Sequence, residues 1–402
     1  MDKFEAIKKV LNNYVTQLNK KYIKRYSKIT FRDVLYELSI KTINNTGYDN
    51  ATYMINSKNN TTISASTFKK KNNFITSNDV IILNKKLLNV IYSDNKPRII
   101  AVDGTYLKCL KSLHSDGVKY ASSNETYTQL LVSGLYDIND GLLINYNHSY
   151  SLNERECLIE QLDYINKGDT LILDRGYYSF ELMNILHQRG INYIFRVKNT
   201  LKEVKQLLIS HNDSIIIGHN KIVTYSITNN ATSYYLITNL LDSNINHLKN
   251  LYNDRWSIET HFKSAKYYTS LLNLGSRQIE SLLRDIHMHN CVYILYHNFS
   301  NIITPIINKK NYRLNDKICI KIFTHDILHI LLYKKKYKNP IKKIISILPV
   351  TYIRKKDRHF TRESIRVVSS WYIRPQKNRD NRHCVSNTHL TINNIFDIAQ
   401  IV

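Results

Sequence analysis

The segment from Tyr252 to Lys266 carries polar residues of the types that a phosphodiester-cutting site needs. At about 100° per residue, an α-helix would place four of them within about 60° of one another on one face. They are Tyr252, Arg255, Glu259 and Lys266, and Lys263 would lie beside them. One carboxylate flanked by cations suits a metal ion and a phosphate group together. The alternative is a solvated helix with ion pairs along its surface.

An adjoining apolar stripe of the same helix would seat it on a core. The stripe comprises Ile258, Phe262, Ala265 and Leu272. The segment is therefore expected to present its polar face to a cleft while its apolar face packs inward.

Two aspartates follow short apolar runs that predict buried strands. Residues 98–102 lead to Asp103, and residues 169–173 lead to Asp174. A continuous apolar run bounded by turn residues is typical of a central strand covered on both faces. Because functional groups gather at the carboxyl ends of strands in open α/β sheets, both aspartates are expected to face one crevice. The alternative for each aspartate is a turn or a helix cap.

Together the three segments resemble the DDE transposases of the IS4 insertion-sequence type. That family's third motif is Tyr, two residues, Arg, three residues, Glu, six residues and Lys, and residues 252–266 match it without a gap. The first motif matches Asp103-Gly104-Thr105, and the second matches Asp174-Arg175-Gly176-Tyr177. The resemblance covers about residues 30 to 375.

The resemblance implies an α/β fold with an RNase H-like catalytic core, a mixed sheet with flanking helices, interrupted by a β-rich insertion. The pattern from residue 98 to 198 agrees, because it predicts a strand, a hairpin, a helix, a strand, a helix and a strand in that order. Three short strand patterns follow at 214–218, 222–227 and 233–238. We therefore expect the core at residues 96–199 and 248–300, with the insertion at 200–247.

Two flanking regions are basic and are expected to contact DNA. Residues 1–95 predict a helical domain, and the pattern before Lys69-Lys70-Lys71 is typical of a helix-turn-helix unit. Its alternative is a solvated basic turn. In residues 301–402, Lys and Arg alternate with aromatic residues from Lys334 onward, as in a nucleic-acid track. The alternative there is a disordered tail that keeps the protein in solution.

The charge balance favours a polyanionic partner. Lys and Arg number 57 against 32 Asp and Glu, a net charge of +25, and each neutralised phosphate releases counterions. Charge alone would equally suit an RNA-binding protein.

The five cysteines show no paired spacing, which indicates reduced thiols and therefore an intracellular protein. The expected location is the cytoplasm or nucleoid if the protein is bacterial, and the nucleus or a viral factory if it is eukaryotic or viral. No apolar run reaches transmembrane length, so no membrane partner is expected.

The resemblance implies two-metal cleavage of double-stranded DNA and strand transfer to target DNA. Two Mg²⁺ ions, which Mn²⁺ is expected to replace, would be held by three carboxylates, with Asp103 bridging both ions and Asp174 and Glu259 each holding one. DNA contacts are expected from Tyr252, Arg255, Lys263, Lys266, Arg175, Tyr177, Lys69, Lys70 and Lys71. The partners would be terminal inverted repeats, target DNA and a second protomer, in a homodimer on DNA.

Two other functions stay open. The first is a metal-dependent nuclease or resolvase on the same fold, which has no obvious need for the long insertion and the basic tail. The second is a non-enzymatic DNA-binding descendant of a transposase, which the presence of all three carboxylates disfavours.

Overall fold

The computed structural model describes residues 2–23, 27–44, 46–92, 96–120, 127–226, 233–269, 271–273, 275–307, 312–334, 336 and 338–352. Residues 353–402 of the basic and aromatic segment that begins at Lys334 lie outside the described residues, as does Tyr337 within it.

One mixed sheet of eight strands forms the centre of the fold, in the order β3-β2-β1-β4-β5-β8-β7-β6. Its strands are β1 (Ile99–Cys109), β2 (Thr128–Asp137), β3 (Leu142–Ser149), β4 (Thr170–Leu173), β5 (Asn192–Val197), β6 (Ser214–Ile217), β7 (Asn220–Ser226) and β8 (Ser233–Thr238). The first three are antiparallel neighbours, and β4 and β5 run parallel to β1. Strands β8, β7 and β6 continue antiparallel from β5. The segment expected to be a β-rich insertion therefore extends the same sheet.

Apolar side chains hold the middle of this sheet. Leu171, Ile172 and Leu173 of β4 are fully buried, as a central strand with both faces covered requires. In the turn of the β2–β3 hairpin, the Asp137 carboxylate accepts hydrogen bonds from the backbone N–H groups of Asn139 and Asp140. Gly141 then takes the left-handed backbone conformation with φ 64°, which glycine adopts without steric cost.

Five helices form the first part of the chain, and the second and fifth of them pack on one long helix, α11 (Ile279–Ile307). They are α1 (Asp2–Tyr22), α2 (Phe31–Asn44), α3 (Tyr48–Asn59), α4 (Ala65–Asn72) and α5 (Ser77–Ile91). Buried polar bonds tie them to α11: the Lys41 ammonium lies 2.7 Å from Asp285, and Arg284 donates to the Asn72 carbonyl at 2.6 Å. Because α11 also packs on β3, it links these helices to the sheet.

The other helices cover the sheet or follow α11. They are α6 (Glu154–Glu160), α7 (Phe180–Gln188), α8 (Lys202–Ser210), α9 (Ile245–Asp254), α10 (Trp256–Tyr268), α12 (Asp316–Ile322), α13 (Leu328–Tyr333) and α14 (Lys338–Ser346). Strands β9 (Tyr312–Leu314) and β10 (Val350–Tyr352) form a separate antiparallel pair. Within the described ranges, no helix combines the length and apolar character needed to cross a membrane.

Candidate active site

Asp103 and Asp174 lie level with each other on neighbouring parallel strands. The last paired residues of β1 and β4 are Val102 and Leu173, and each aspartate comes next along its strand. Neighbouring strands are about 4.8 Å apart. The two carboxylates therefore leave the sheet side by side.

The expectation that Asp103 ends its strand is wrong. Strand β1 continues to Cys109, because beyond Asp103 it keeps its antiparallel pairing with β2. Only the parallel partner β4 stops at this level. The two aspartates therefore lie where β4 ends beside a continuing β1, and not where both strands end.

A glycine allows α10 to approach this point. Gly134 of β2 pairs directly with Asp103, and a Cβ atom built on it would lie 3.1 Å from Phe262 and 3.5 Å from Ile258. Both of those side chains belong to the predicted apolar stripe of α10 and are buried, as is Ala265. The missing side chain at Gly134 lets α10 pack closely, which brings the polar face of α10 over Asp103.

Residues 252–266 do not form the single helix expected from the sequence. Helix α9 ends at Asp254 and α10 begins at Trp256, with the turn between them closed by short-range bonds. The Arg255 N–H donates to the Tyr252 carbonyl and the Ile258 N–H to the Arg255 carbonyl, each at 3.2 Å. This i→i+3 pattern is a tightened turn. Asn and Asp, which precede the break, favour such turns over helix interiors.

Arg255 lies among the carboxylates. Its Nη2 donates to Glu259 Oε1 at 2.7 Å, and its Nη1 lies 4.0 Å from Asp103 Oδ2. The Arg255 side chain is only 7% exposed. Burial raises the pKa of Asp103 to about 6, against the lowering effect of Arg255, and the negative charges of Glu259 and Glu154 add to the rise.

Two tyrosines expected to contact DNA are instead buried. Tyr252 is 4% exposed, and its hydroxyl donates to Asp174 Oδ1 at 3.3 Å. Tyr177 is 1% exposed and packs within the core. In this conformation Tyr252 positions the Asp174 carboxylate and Tyr177 supports the turn after β4, so neither side chain is presented to a ligand in solvent.

The expected cations differ in their surroundings. Burial lowers the pKa of Lys266, and the charge of Asp103 partly offsets this effect, so Lys266 belongs to the site. Lys263 and Arg175 are exposed near it. On α4, Lys69 and Lys70 are exposed, whereas Lys71 is half-buried with its ammonium about 6 Å from the rings of Phe31 and Phe74.

Two residues near the site were not predicted from the sequence. Arg196 of β5 is level with Asp174, since Leu173 pairs with Phe195, and its guanidinium lies 3.9 Å from the Asp174 carboxylate. Glu154, the first residue of α6, lies against Gly104 and Gly176. Their proximity depends on strand register and helix docking, for which a local sequence pattern holds no signal.

Comparison with known protein families gives one match. The profile of one known family, described as Transposase DDE domain, matches residues 94–295. The match covers half of the chain and includes Asp103, Asp174 and Glu259. The chain belongs to the DDE transposase family.

Among solved structures, this DDE transposase is similar to one described as "Cryo-EM structure of piggyBac transposase synaptic complex with hairpin DNA". The sequence identity is 12% and the TM-score is 0.48, over 86% of this chain and 84% of that one. No curated protein matches the chain.

DDE transposases generally use divalent metal ions, and the donor chemistry here suits them. Carboxylate oxygens are the ligands that Mg²⁺ prefers, and three carboxylates gather around the end of β4. In the described residues, however, no group of three His, Cys, Asp or Glu side chains is close enough together to hold a metal ion. The residue types suit the ion, whereas in this conformation Glu259 is paired with Arg255.

Proposed function

We propose that this DDE transposase cuts DNA at the ends of a mobile element and joins the freed 3′-hydroxyl to target DNA, by the cut-and-paste route. One observation carries the proposal: Asp103 and Asp174 lie side by side, and α10 packs over them with Glu259 on its polar face. This arrangement brings three acidic residues that are far apart in the sequence into one neighbourhood, where Arg255 contacts two of them. A nuclease or resolvase on the same fold remains the alternative.

The catalytic core is proposed to be RNase H-like and of the IS4 type. The order β3-β2-β1-β4-β5, with three antiparallel strands followed by two parallel ones, supports this assignment. The motif spacing of residues 252–266 supports the IS4 assignment. The strands from 214 to 238 would then be the family's β-rich insertion, joined to the edge of β5.

In this mechanism, Asp103, Asp174 and Glu259 would together hold two Mg²⁺ ions. When bound, such ions activate a nucleophile and stabilise the leaving 3′ oxygen. Tyr252 would hold the Asp174 carboxylate in place through its hydroxyl. Arg255 would exchange its hydrogen bond with Glu259 for one with a DNA phosphate, because a guanidinium binds either anion through the same N–H groups.

The DNA partner would be a duplex with terminal inverted repeats. Lys266 and Lys263 of α10, with Arg175 beside them, would bind phosphates next to the cut, and Lys69 and Lys70 of α4 would bind phosphates farther along. The working assembly would hold two protomers and two element ends, so that cutting is coupled to pairing of the ends.

The test is a cleavage assay on duplexes that contain the DNA flanking the coding sequence. Asp103→Asn, Asp174→Asn and Glu259→Gln should each abolish Mg²⁺-dependent nicking and leave DNA binding within a few-fold of the unmodified protein. Asp163→Asn is the matched control, because that carboxylate is 83% exposed and lies in an ion pair with Arg189 at the surface.

Nicking at the normal rate by any of the three variants would remove that residue from the site. Cleavage without joining of the 3′-hydroxyl to a second duplex would favour the nuclease alternative.

A further inference from the structure

A fourth carboxylate, that of Glu154, lies between the two aspartate motifs. The Asn153 side chain caps α6 by accepting the backbone N–H groups of Arg155 and Glu156, at 3.1 and 3.4 Å, which fixes Glu154 in the first turn. Arg155 Nε then donates to the Gly176 carbonyl at 3.0 Å. The first turn of α6 is thereby bonded to the loop that follows Asp174.

The glycines of both motifs make room for this carboxylate. A Cβ atom built on Gly104 would lie 2.5 Å from Glu154 Oε1, closer than any real Cβ contact, and one built on Gly176 would lie 3.7 Å from Oε2. Gly104 follows Asp103 directly, and Gly176 is two residues after Asp174. Neither glycine has a positive φ, so backbone conformation does not require glycine at either position.

The Glu154 carboxylate has no compensating partner. Within the described part of the chain it accepts no hydrogen bond and forms no ion pair, although it is half-buried beside other carboxylates. Arg255 directs its N–H groups to Glu259 and Asp103 instead. A half-buried carboxylate next to like charges is unfavourable unless a cation neutralises it.

We propose that Glu154 is a fourth metal-coordinating carboxylate of the site, acting beside Asp103 and Asp174. The proposal rests on the function proposed above. It explains why both aspartate motifs contain a glycine at the point that faces α6. The competing explanation is that Glu154 only stabilises the first turn of its helix, where an acidic side chain is favourable.

The test is Mn²⁺ binding by the full-length, DNA-free protein, followed by electron paramagnetic resonance of the free ion. Glu154→Gln should weaken binding by about 10-fold or more, the range seen when a metal site loses a supporting group. Glu154→Asp, which keeps the charge, should bind more tightly than Glu154→Gln. Glu156→Gln is the matched control, since Glu156 lies exposed in the same helix turn and its side chain accepts a hydrogen bond from the Ser151 hydroxyl, and it should bind Mn²⁺ normally.

Thermal unfolding in chelator separates the two explanations. Without the ion, a carboxylate surrounded by like charges destabilises the folded protein. The Glu154→Gln variant should therefore unfold at the same temperature as the unmodified protein or at a higher one. A lower unfolding temperature in chelator together with normal Mn²⁺ affinity would overturn the proposal in favour of a helix-stabilising role.

The glycine supplies a second, geometric test. Gly104→Ala should weaken Mn²⁺ binding in the unmodified protein, because the new methyl group displaces the Glu154 carboxylate. In a Glu154→Ala background the same change should have little further effect, since coupled residues give non-additive changes. Additive losses in this double-mutant cycle would overturn the proposal.

Asp103→Asn distinguishes failure of this inference from failure of the proposed function. If Asp103→Asn loses Mn²⁺ binding and Glu154→Gln does not, only the role of Glu154 is wrong. If neither variant affects binding, or the unmodified protein binds no Mn²⁺, the carboxylate site itself is wrong.

Discussion

Arg255 donates a 2.7 Å hydrogen bond to Glu259 one helical turn away, and so neutralises the carboxylate that is proposed to bind metal. The same guanidinium lies 4.0 Å from Asp103. In the free protein, Arg255 thus occupies the position of a counter-ion to two of the three acidic residues. Under the proposed function, metal and DNA would both compete for groups that are already paired.

Replacing Arg255 should therefore have opposite effects on the two ligands. Arg255→Gln should raise the Mn²⁺ affinity of the DNA-free protein, because a competing cation is removed. It should weaken DNA binding by about 1–3 kcal/mol, the range for a lost charge-assisted hydrogen bond, and lower the salt dependence by about one unit of slope. Titrations across a salt series check both effects, with Arg189→Gln as a surface control. Parallel losses of both affinities would contradict the counter-ion role.

The close packing at Gly134 should be as important for catalysis as for stability. Gly134→Val would force Phe262 and Ile258 away from β2 and carry Glu259 with them. We expect the free energy of unfolding to fall by about 1–3 kcal/mol, which is typical of overpacking. Cleavage should slow by about 10-fold or more, because a displacement of about 1 Å at an active site reduces the rate strongly. Gly275→Val is the control, since open space surrounds Gly275. A variant that is destabilised but cuts normally would show that α10 does not need this contact to place Glu259.

Buried histidines of α11 should make the fold sensitive to acid. Burial lowers the pKa of His287 and of His289 to about 3, against about 6.5 in the unfolded chain. Between these values the unfolded chain binds protons that the folded protein does not, so stability is complete above about pH 6.5 and falls as the pH decreases. The upper limit is about 1.4 kcal/mol per pH unit for each histidine.

Urea unfolding at pH 7.5, 6.5 and 5.5 measures this effect. His289→Gln should reduce the slope between the two lower pH values. A free energy of unfolding that stays constant down to pH 5.5 would mean that these histidines gain protons in the folded state.

The exposed lysines of α4 are expected to bind DNA phosphates. Lys69→Ala and Lys70→Ala together should weaken binding to all duplexes alike and reduce the salt slope by about two units. Lys3 and Lys9, exposed on α1, provide a control pair of equal charge. An equal loss of affinity in both double variants would indicate a diffuse charge effect without a specific surface on α4.

Assembly on DNA should depend on the residues after β10. A chain that ends at Tyr352 keeps the pairing of β9 with β10 but loses the basic residues that begin at Arg354. The free protein is expected to be monomeric, and the full chain should form a complex of two protomers on end-containing DNA. The shortened chain should form less of that complex at equal concentration. Mass photometry would refute the prediction if a complex of one protomer and one duplex performed full strand transfer.

Local patterns were sufficient to predict the strands that carry the aspartates. Buried parallel strands leave continuous apolar runs, and the turn at residues 139–141 marks the hairpin through its Asn-Asp-Gly chemistry. The break at Arg255 was not predictable in this way, because apolar residues recur at helical spacing on both sides of it. Arg196 and Glu154 were missed because only the assembled sheet brings them to Asp174.

The buried bonds that α11 forms with Lys41 and Asn72 affect whether the DDE segment could fold without the helices that precede it. A chain that began after residue 95 would leave Arg284 without the Asn72 carbonyl and Asp285 without Lys41. These two charged groups would then keep only their 3.9 Å contact with each other and the Ser276 hydroxyl on Asp285, on a helix face that α2 and α5 no longer cover. The catalytic segment is therefore not an interchangeable module: recombination or engineering must transfer it together with the helices that precede it.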